Sequence, residues 1–164
     1  MPVRKILLYP DPFLRRASKQ VHAFGDEIAH AIRDMTETMH SLHHCVGIAA
    51  NQVGIDHRIF AMDTSRRDKR SQGLIVMVNP ILQKKEGNAY TKEGCLSLPS
   101  FLGRVGRAEK VTVSAHDAEG REKAWTFTGL EAICVQHEMD HLDGMLFIDR
   151  LNSLRMDLSL RAKG

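Results

Sequence analysis

The stretch Leu130-Glu131-Ala132-Ile133-Cys134-Val135-Gln136-His137-Glu138-Met139-Asp140-His141-Leu142 is bracketed by Gly129 and Gly144. A run without internal glycine or proline, closed by glycine at both ends, predicts a helix over 130–142. Inside it lies His137-Glu138-Met139-Asp140-His141, an H-E-x-x-H pattern. Residues four apart share one face of a helix, so both imidazoles can reach a single metal ion while Glu138 addresses the same space. Two neutral imidazoles beside a carboxylate suit a divalent metal that holds a reactive water. The plain alternative is a set of surface residues on an amphipathic helix, but Ile133, Val135 and Leu142 argue against a fully exposed face.

A catalytic metal site needs a third protein ligand and an open position, and Cys45, Cys95 and Cys134 are the soft candidates. Cys134 shares the helix with both histidines. It lies seven residues before His141, however, roughly 10 Å along the axis at helical rise, which is too far for one ion. One straight helix therefore cannot supply all three ligands. Cys45 and Cys95 each read as loop residues able to approach from outside. Cys95 follows Glu93-Gly94 and precedes Leu96-Ser97-Leu98-Pro99, and the glycine permits a close backbone approach. Geometry alone leaves these two open.

Working outward, apolar residues at Ile28, Ala31, Ile32, Met35, Met39 and Leu42 predict a helix over 26–44, started at Gly25-Asp26 and released near Gly47. Short β-branched runs at 58–62 and 74–78 read as strands, as do 81–85, 110–116 and 123–128. Asp117-Ala118-Glu119-Gly120 joins the last two as a hairpin turn. Residues 100–107 read as loop, and the tail from about 151, with Leu151, Leu154, Leu158 and Leu160, as a last helical turn or two. Helix, antiparallel strands, then helix is an α+β order, with the strands packed around a central metal-binding helix. Neither a repeat nor a dividing linker interrupts residues 1–164, so one domain is expected.

Composition excludes several classes. At 43% hydrophobic and 26% charged residues, the chain is ordinary globular protein, and no apolar run reaches the about 18 residues of a membrane span. The N-terminal apolar run stops at Pro10 without a small-residue cleavage site, which reads as a cytoplasmic start and leaves an organellar origin open. Three cysteines cannot all pair, and reduced thiols are the simpler reading. The net charge of +3 is scattered apart from Arg66-Arg67-Asp68-Lys69-Arg70, a solvated loop by the plainest reading. With 5% aromatic residues and no stacking pattern, RNA binding as a primary role has only that patch behind it.

Three ordered segments carry a resemblance: Gly47-Ile48-Ala49-Ala50-Asn51-Gln52, Glu93-Gly94-Cys95-Leu96-Ser97 and Gln136-His137-Glu138-Met139-Asp140-His141. Together they resemble the three signatures of peptide deformylases. The likeness runs from Leu8-Tyr9-Pro10-Asp11-Pro12 through Val78-Asn79-Pro80 to about Arg150. H-E-x-x-H alone is shared with zinc proteases, so a small metalloprotease is the main rival, but the other two segments do not support it. A relative that keeps the metal and only binds is a second rival, opposed by the presence of Glu138 and Gln52.

The resemblance implies that Cys95, His137 and His141 hold one divalent metal per chain, commonly Fe2+, with Zn2+, Ni2+ or Co2+ able to replace it. It implies Glu138 as general acid and base, the Gln52 amide and the Leu96 backbone N–H as oxyanion donors, and Gly47 and Val46 as contacts to substrate backbone. Leu130, Ile133, Cys134, Glu93 and Gly94 would border the methionine pocket. The substrates implied are N-formylmethionyl nascent peptides, with no DNA or membrane partner and a bacterial-type cytoplasmic location. Two positions depart from the family pattern. Cys45 stands where the first glycine of the first signature usually falls, and Leu102 where some relatives carry arginine, for which Arg104 or Arg107 are candidate substitutes. A transient ribosome contact through Arg155, Arg161 and Lys163 is left open by the short C-terminus. His40, His43 and His44 read as surface or supporting groups, and Asp140 as a support for the helix or a nearby arginine.

Overall fold

Helix α1 forms over Asp26–Ser41, three residues shorter than the periodicity extends, because the chain turns extended at Leu42. Its buried stripe, Ile28, Ala31, Met35 and Met39, packs with Ile48, Ala50, Ile59 and Val78 into one core cluster. The structure, a computed structural model, describes residues 3–162. Met1, Pro2, Gly164 and the Lys163 named for ribosome docking lie outside the described residues.

Eight strands follow in two antiparallel sheets among the described residues. The larger sheet runs β1 (Gly47–Ala49), β2 (Ile59–Met62), β3 (Ile75–Glu86), β6 (Lys110–His116) and β7 (Glu122–Thr128), in that spatial order. The smaller one runs β4 (Ala89–Cys95), β5 (Leu98–Arg107) and β8 (Leu158–Leu160). Helix α2 (Gly129–Leu142) begins straight off β7 and packs its Ala132, Val135 and Leu142 against Phe60, Met62, Val113 and Phe127 of the larger sheet. A third cluster, Leu98, Val105, Leu146 and Phe147, closes the smaller sheet. This is the expected α+β arrangement with a central helix. Among the described residues no helix is long and apolar enough to cross a membrane.

Four expectations need correction. The strands expected at 74–78 and 81–85 are one strand, β3. Asn79 takes a positive φ of 53° and the register shifts between Val78 and Ile81, so the Asn-Pro pair makes a bulge rather than an end. Asn79 is held there by its side-chain amide, which accepts from Val21 N–H at 2.9 Å and donates to Val21 C=O at 2.8 Å. Cys95 is the last residue of β4, not a loop residue, and residues 100–107 belong to β5. The tail makes a single helical turn, α3 (Leu154–Asp157), and then β8, which pairs Phe101 with Leu160, Leu102 with Ser159 and Gly103 with Leu158. These segments lack a clear period because the smaller sheet is held by pairing and by a few contacts on one face.

Gly103 shows how close those contacts are. A Cβ there would lie 2.5 Å from the buried Phe147 ring and 3.0 Å from Leu151. Gly103→Ala is expected to destabilise the fold by about 1–3 kcal/mol, the usual cost of overpacking. The check is the urea unfolding midpoint; an unchanged midpoint would show that the ring yields freely.

Candidate metal centre

Helix α2 is buried on more than one side, so its polar residues need partners within the protein. Gln136 clamps the chain after β5, accepting from Ala108 N–H at 3.0 Å and donating to Ala108 C=O at 2.9 Å. Glu131 accepts from Gln72 N–H at 2.7 Å, pinning the loop that carries the basic patch. Asp140 meets Arg107 at 2.7 Å on one oxygen and Arg150 at 2.7 Å on the other, the arginine support expected from the sequence. Thus anchored, the helix presents His137, Glu138 and His141 inward.

Cys95 arrives at the end of β4, and its Sγ lies 3.3 Å from Nε2 of His141. One donor atom from each of Cys95, His137 and His141 lies within 4.8 Å of the others, close enough to share an ion. The donor set of one thiolate and two imidazoles fits a divalent transition metal. The electrostatics agree. Burial lowers His141 well below the ordinary histidine value. Burial also opposes charge on His137, but hydrogen bonds to Cys95 and Glu93 win and raise it well above.

Glu93 fixes the first imidazole. It accepts from Nδ1 of His137 at 2.8 Å, which turns Nε2 toward the sulfur. Burial would raise the Glu93 carboxyl, but Arg107 and His137 outweigh it and hold the group at about 2. Arg107 donates to both Glu93 oxygens, at 2.8 and 2.9 Å, as a bidentate fork. Glu138 is the contrast. Burial raises it to about 7, and its Oε2 has no hydrogen-bond partner among the described residues. Gly47 makes room for it, since a Cβ there would come 2.6 Å from Oε1 of Glu138 and from Sγ of Cys134.

A pocket of about 380 Å³ opens over this cluster. It brings together every residue the sequence proposed except His141, which lies beneath: Gly47 and Val46, Gln52, Glu93 and Gly94, Cys95 and Leu96, then Leu130, Ile133, Cys134, His137 and Glu138. The Gln52 amide is held by orientation. Its Oε1 accepts from Ala49 N–H at 3.0 Å, which points Nε2 at Ser97 Oγ, 3.1 Å away, and at the Cys95 sulfur. Cys45 also lines the pocket, half-buried, with burial first and then Glu138 pushing its thiol to about 12. His43 and His44 stand at the pocket, while His40 lies beside Asp63 at 3.3 Å.

The candidate substitutes for an arginine at Leu102 do not reach the pocket. Arg107 is committed to Glu93 and Asp140, and Arg104 lies over the Tyr90 ring at 4.0 Å and pairs with Asp157. Sequence reasoning missed the pairing of Glu93 with His137 and Arg107. No spacing signals it, because it depends on where the β4–β5 hairpin meets α2. It also missed Arg67, Lys92 and Arg161 as lining residues.

Comparison with known proteins gives consistent relatives. The family described as polypeptide deformylase matches residues 3–157. A peptide deformylase of Alkalilimnicola ehrlichii is 43% identical over 155 residues, covering 94% of this chain and 85% of that one. One from Thermodesulfovibrio yellowstonii is 40% identical, covering 96% and 94%. The crystal structure of a peptide deformylase from Legionella pneumophila superposes with a TM-score of 0.87 at 41% identity, covering 94% of this chain and 89% of that one.

Because Arg107 is buried and shared, Arg107→Ala leaves Glu93 with the His137 ring alone and Asp140 with Arg150 alone. Such a break is expected to cost about 3–5 kcal/mol of stability. Glu93, no longer held by the fork, is expected to orient the His137 ring less firmly and so to weaken metal binding roughly 10-fold. Thermal unfolding and competition with a chelator measure the two effects; unchanged metal affinity would show that Glu93 orients His137 without help from Arg107.

Proposed function

The chain belongs to the polypeptide deformylase family, whose members hydrolyse the N-formyl group from formylmethionyl nascent peptides, and on that premise we propose the following residue roles. Cys95, His137 and His141 hold the metal, for which ferrous iron is the first choice and zinc, nickel or cobalt the alternatives. The convergence of those three donors beneath a pocket that also holds Glu138 is the observation that carries the reading. A divalent ion held by these three residues would supply Lewis-acid chemistry and make a water more acidic.

The chain's own groups do the rest. Glu138 in its carboxylate form takes the proton from the attacking water, and then delivers it to the departing methionine amine. Burial raises this carboxyl from its ordinary value and its Oε2 has no hydrogen-bond partner among the described residues, so the group is free to take and give a proton at the pocket. As water's oxygen bonds to the formyl carbon, negative charge grows on the formyl oxygen. Nε2 of Gln52, already oriented through Ala49, and the Leu96 N–H in the turn after β4 are the donors for it. Breaking the C–N bond then releases formate and the free amine.

Leu130, Ile133 and Cys134 form the apolar wall for the methionine side chain, with Glu93 and Gly94 bordering it, while Gly47 and Val46 meet the peptide backbone. Residues 1–164 act as one domain, and a bacterial-type cytoplasmic setting matches both substrate and reduced thiols. A transient ribosome contact through the tail residues Arg155, Arg161 and Lys163 belongs to the same proposal.

Glu138→Ala is expected to keep its metal and lose about 10²- to 10⁴-fold in kcat on formyl-Met-Ala-Ser, the usual worth of a general acid and base. Cys95→Ala is expected to fold and bind no metal at stoichiometric concentration. Formate release by anaerobically iron-loaded protein, with metal content determined in parallel, measures both. A metal-free Glu138→Ala protein would make Glu138 structural, and full turnover in it would remove Glu138 from the chemistry.

A further inference from the structure

Three basic side chains line the pocket, Arg67, Lys92 and Arg161. Its lining carboxylates are Glu93 and Glu138, and both are buried. Glu93 is matched by Arg107, so the exposed part of the pocket carries uncompensated positive charge. Arg67 is already engaged, donating to the His44 carbonyl at 2.6 Å. Arg161 differs from it: exposed, and among the described residues without an ion pair or side-chain hydrogen bond.

Its place is set by backbone. Strand β8 pairs with β5 up to Leu160, and the Arg161 N–H donates to Ser100 C=O at 2.9 Å, carrying the pairing one residue further. From there the guanidinium reaches over Gly94, the residue before Cys95. A Cβ at Gly94 would collide with Nη2 of Arg161 and press on Leu102 Cδ2 at 3.1 Å. Leu102 is apolar, so the charge at this spot comes from the last strand rather than from β5.

We propose that Arg161 is a specificity-determining residue of the peptide site, favouring an acidic side chain directly after formylmethionine; this rests on the reading of the pocket given above. With the formyl group over the Cys95, His137 and His141 cluster and the methionine side chain against Leu130 and Ile133, the chain beyond leaves past the basic side chains. There the planar, permanently charged fork of Arg161 can take a carboxylate bidentately. A lysine at the same place meets like charge from Arg161 and Lys92 and is disfavoured.

The test compares formyl-Met-Asp-Ala-Ser-amide with formyl-Met-Lys-Ala-Ser-amide, the amide removing the terminal carboxylate as a competing anion. The expected kcat/KM ratio for the metal-loaded protein is about tenfold in favour of aspartate, carried by KM. Added salt should shrink it. The ratio is expected to fall to near one in Arg161→Ala, to invert in Arg161→Glu, and to survive in part in Arg161→Lys. Being internal to each variant, it cancels a general loss of folding or metal. A wild-type protein indifferent to the two peptides, or a preference that persists in Arg161→Ala, overturns the proposal. Absence of formate release from both peptides by metal-loaded wild-type protein would instead overturn the deformylase reading, and the proposal with it.

Discussion

Arg107 stands at the end of β5 with its guanidinium almost entirely out of water, where an unpaired cation would cost several kcal/mol. Two carboxylates meet it, Glu93 from β4 and Asp140 from α2. The pairing joins three elements that sequence separates widely. Glu93 spends its remaining capacity on the His137 ring, so the charge balance of a buried arginine also sets the direction of that imidazole. Asp140 is held from its other side by Arg150, which ties the start of the C-terminal segment to the same helix. The smaller sheet, helix α2 and the tail therefore share one electrostatic centre, with Cys95 two residues from Glu93 on the same strand.

Two carboxyl groups stand in contrasting surroundings within one small site, and those surroundings shift them in opposite directions. Glu93 is surrounded by donors and stays ionised to about 2. Glu138 is buried without such donors and is raised to about 7. Gly47 is part of this contrast, because its missing side chain lets Glu138 and the edge strand β1 come together. A polar side chain at 47 would both collide with Glu138 and offer it a partner.

The C-terminal segment enters the fold as a strand. Polar and short, it would be an unstable helix alone, whereas pairing with β5 satisfies its backbone groups at once. This pairing places Arg161 at the pocket and leaves Leu154, Met156 and Leu160 exposed.

By itself the sequence determined the two main helices, most strands of the larger sheet and the H-E-x-x-H face, because helical and alternating periods are local properties of the chain. It also determined that one helix could not complete the ligand set, since rise per residue limits how far two side chains can be from one ion. Helix geometry left Cys45 and Cys95 open and the family resemblance pointed to Cys95; in the tertiary structure β4 ends at the histidines, while the Cys45 sulfur turns to the Gly47 carbonyl at 3.1 Å. The smaller sheet, the bulge that makes β3 one strand, and the Arg107 pairing were likewise decided only in three dimensions. Strand pairing and buried ion pairs join residues distant in sequence, and their energies depend on burial and register, neither of which the local pattern of residues contains.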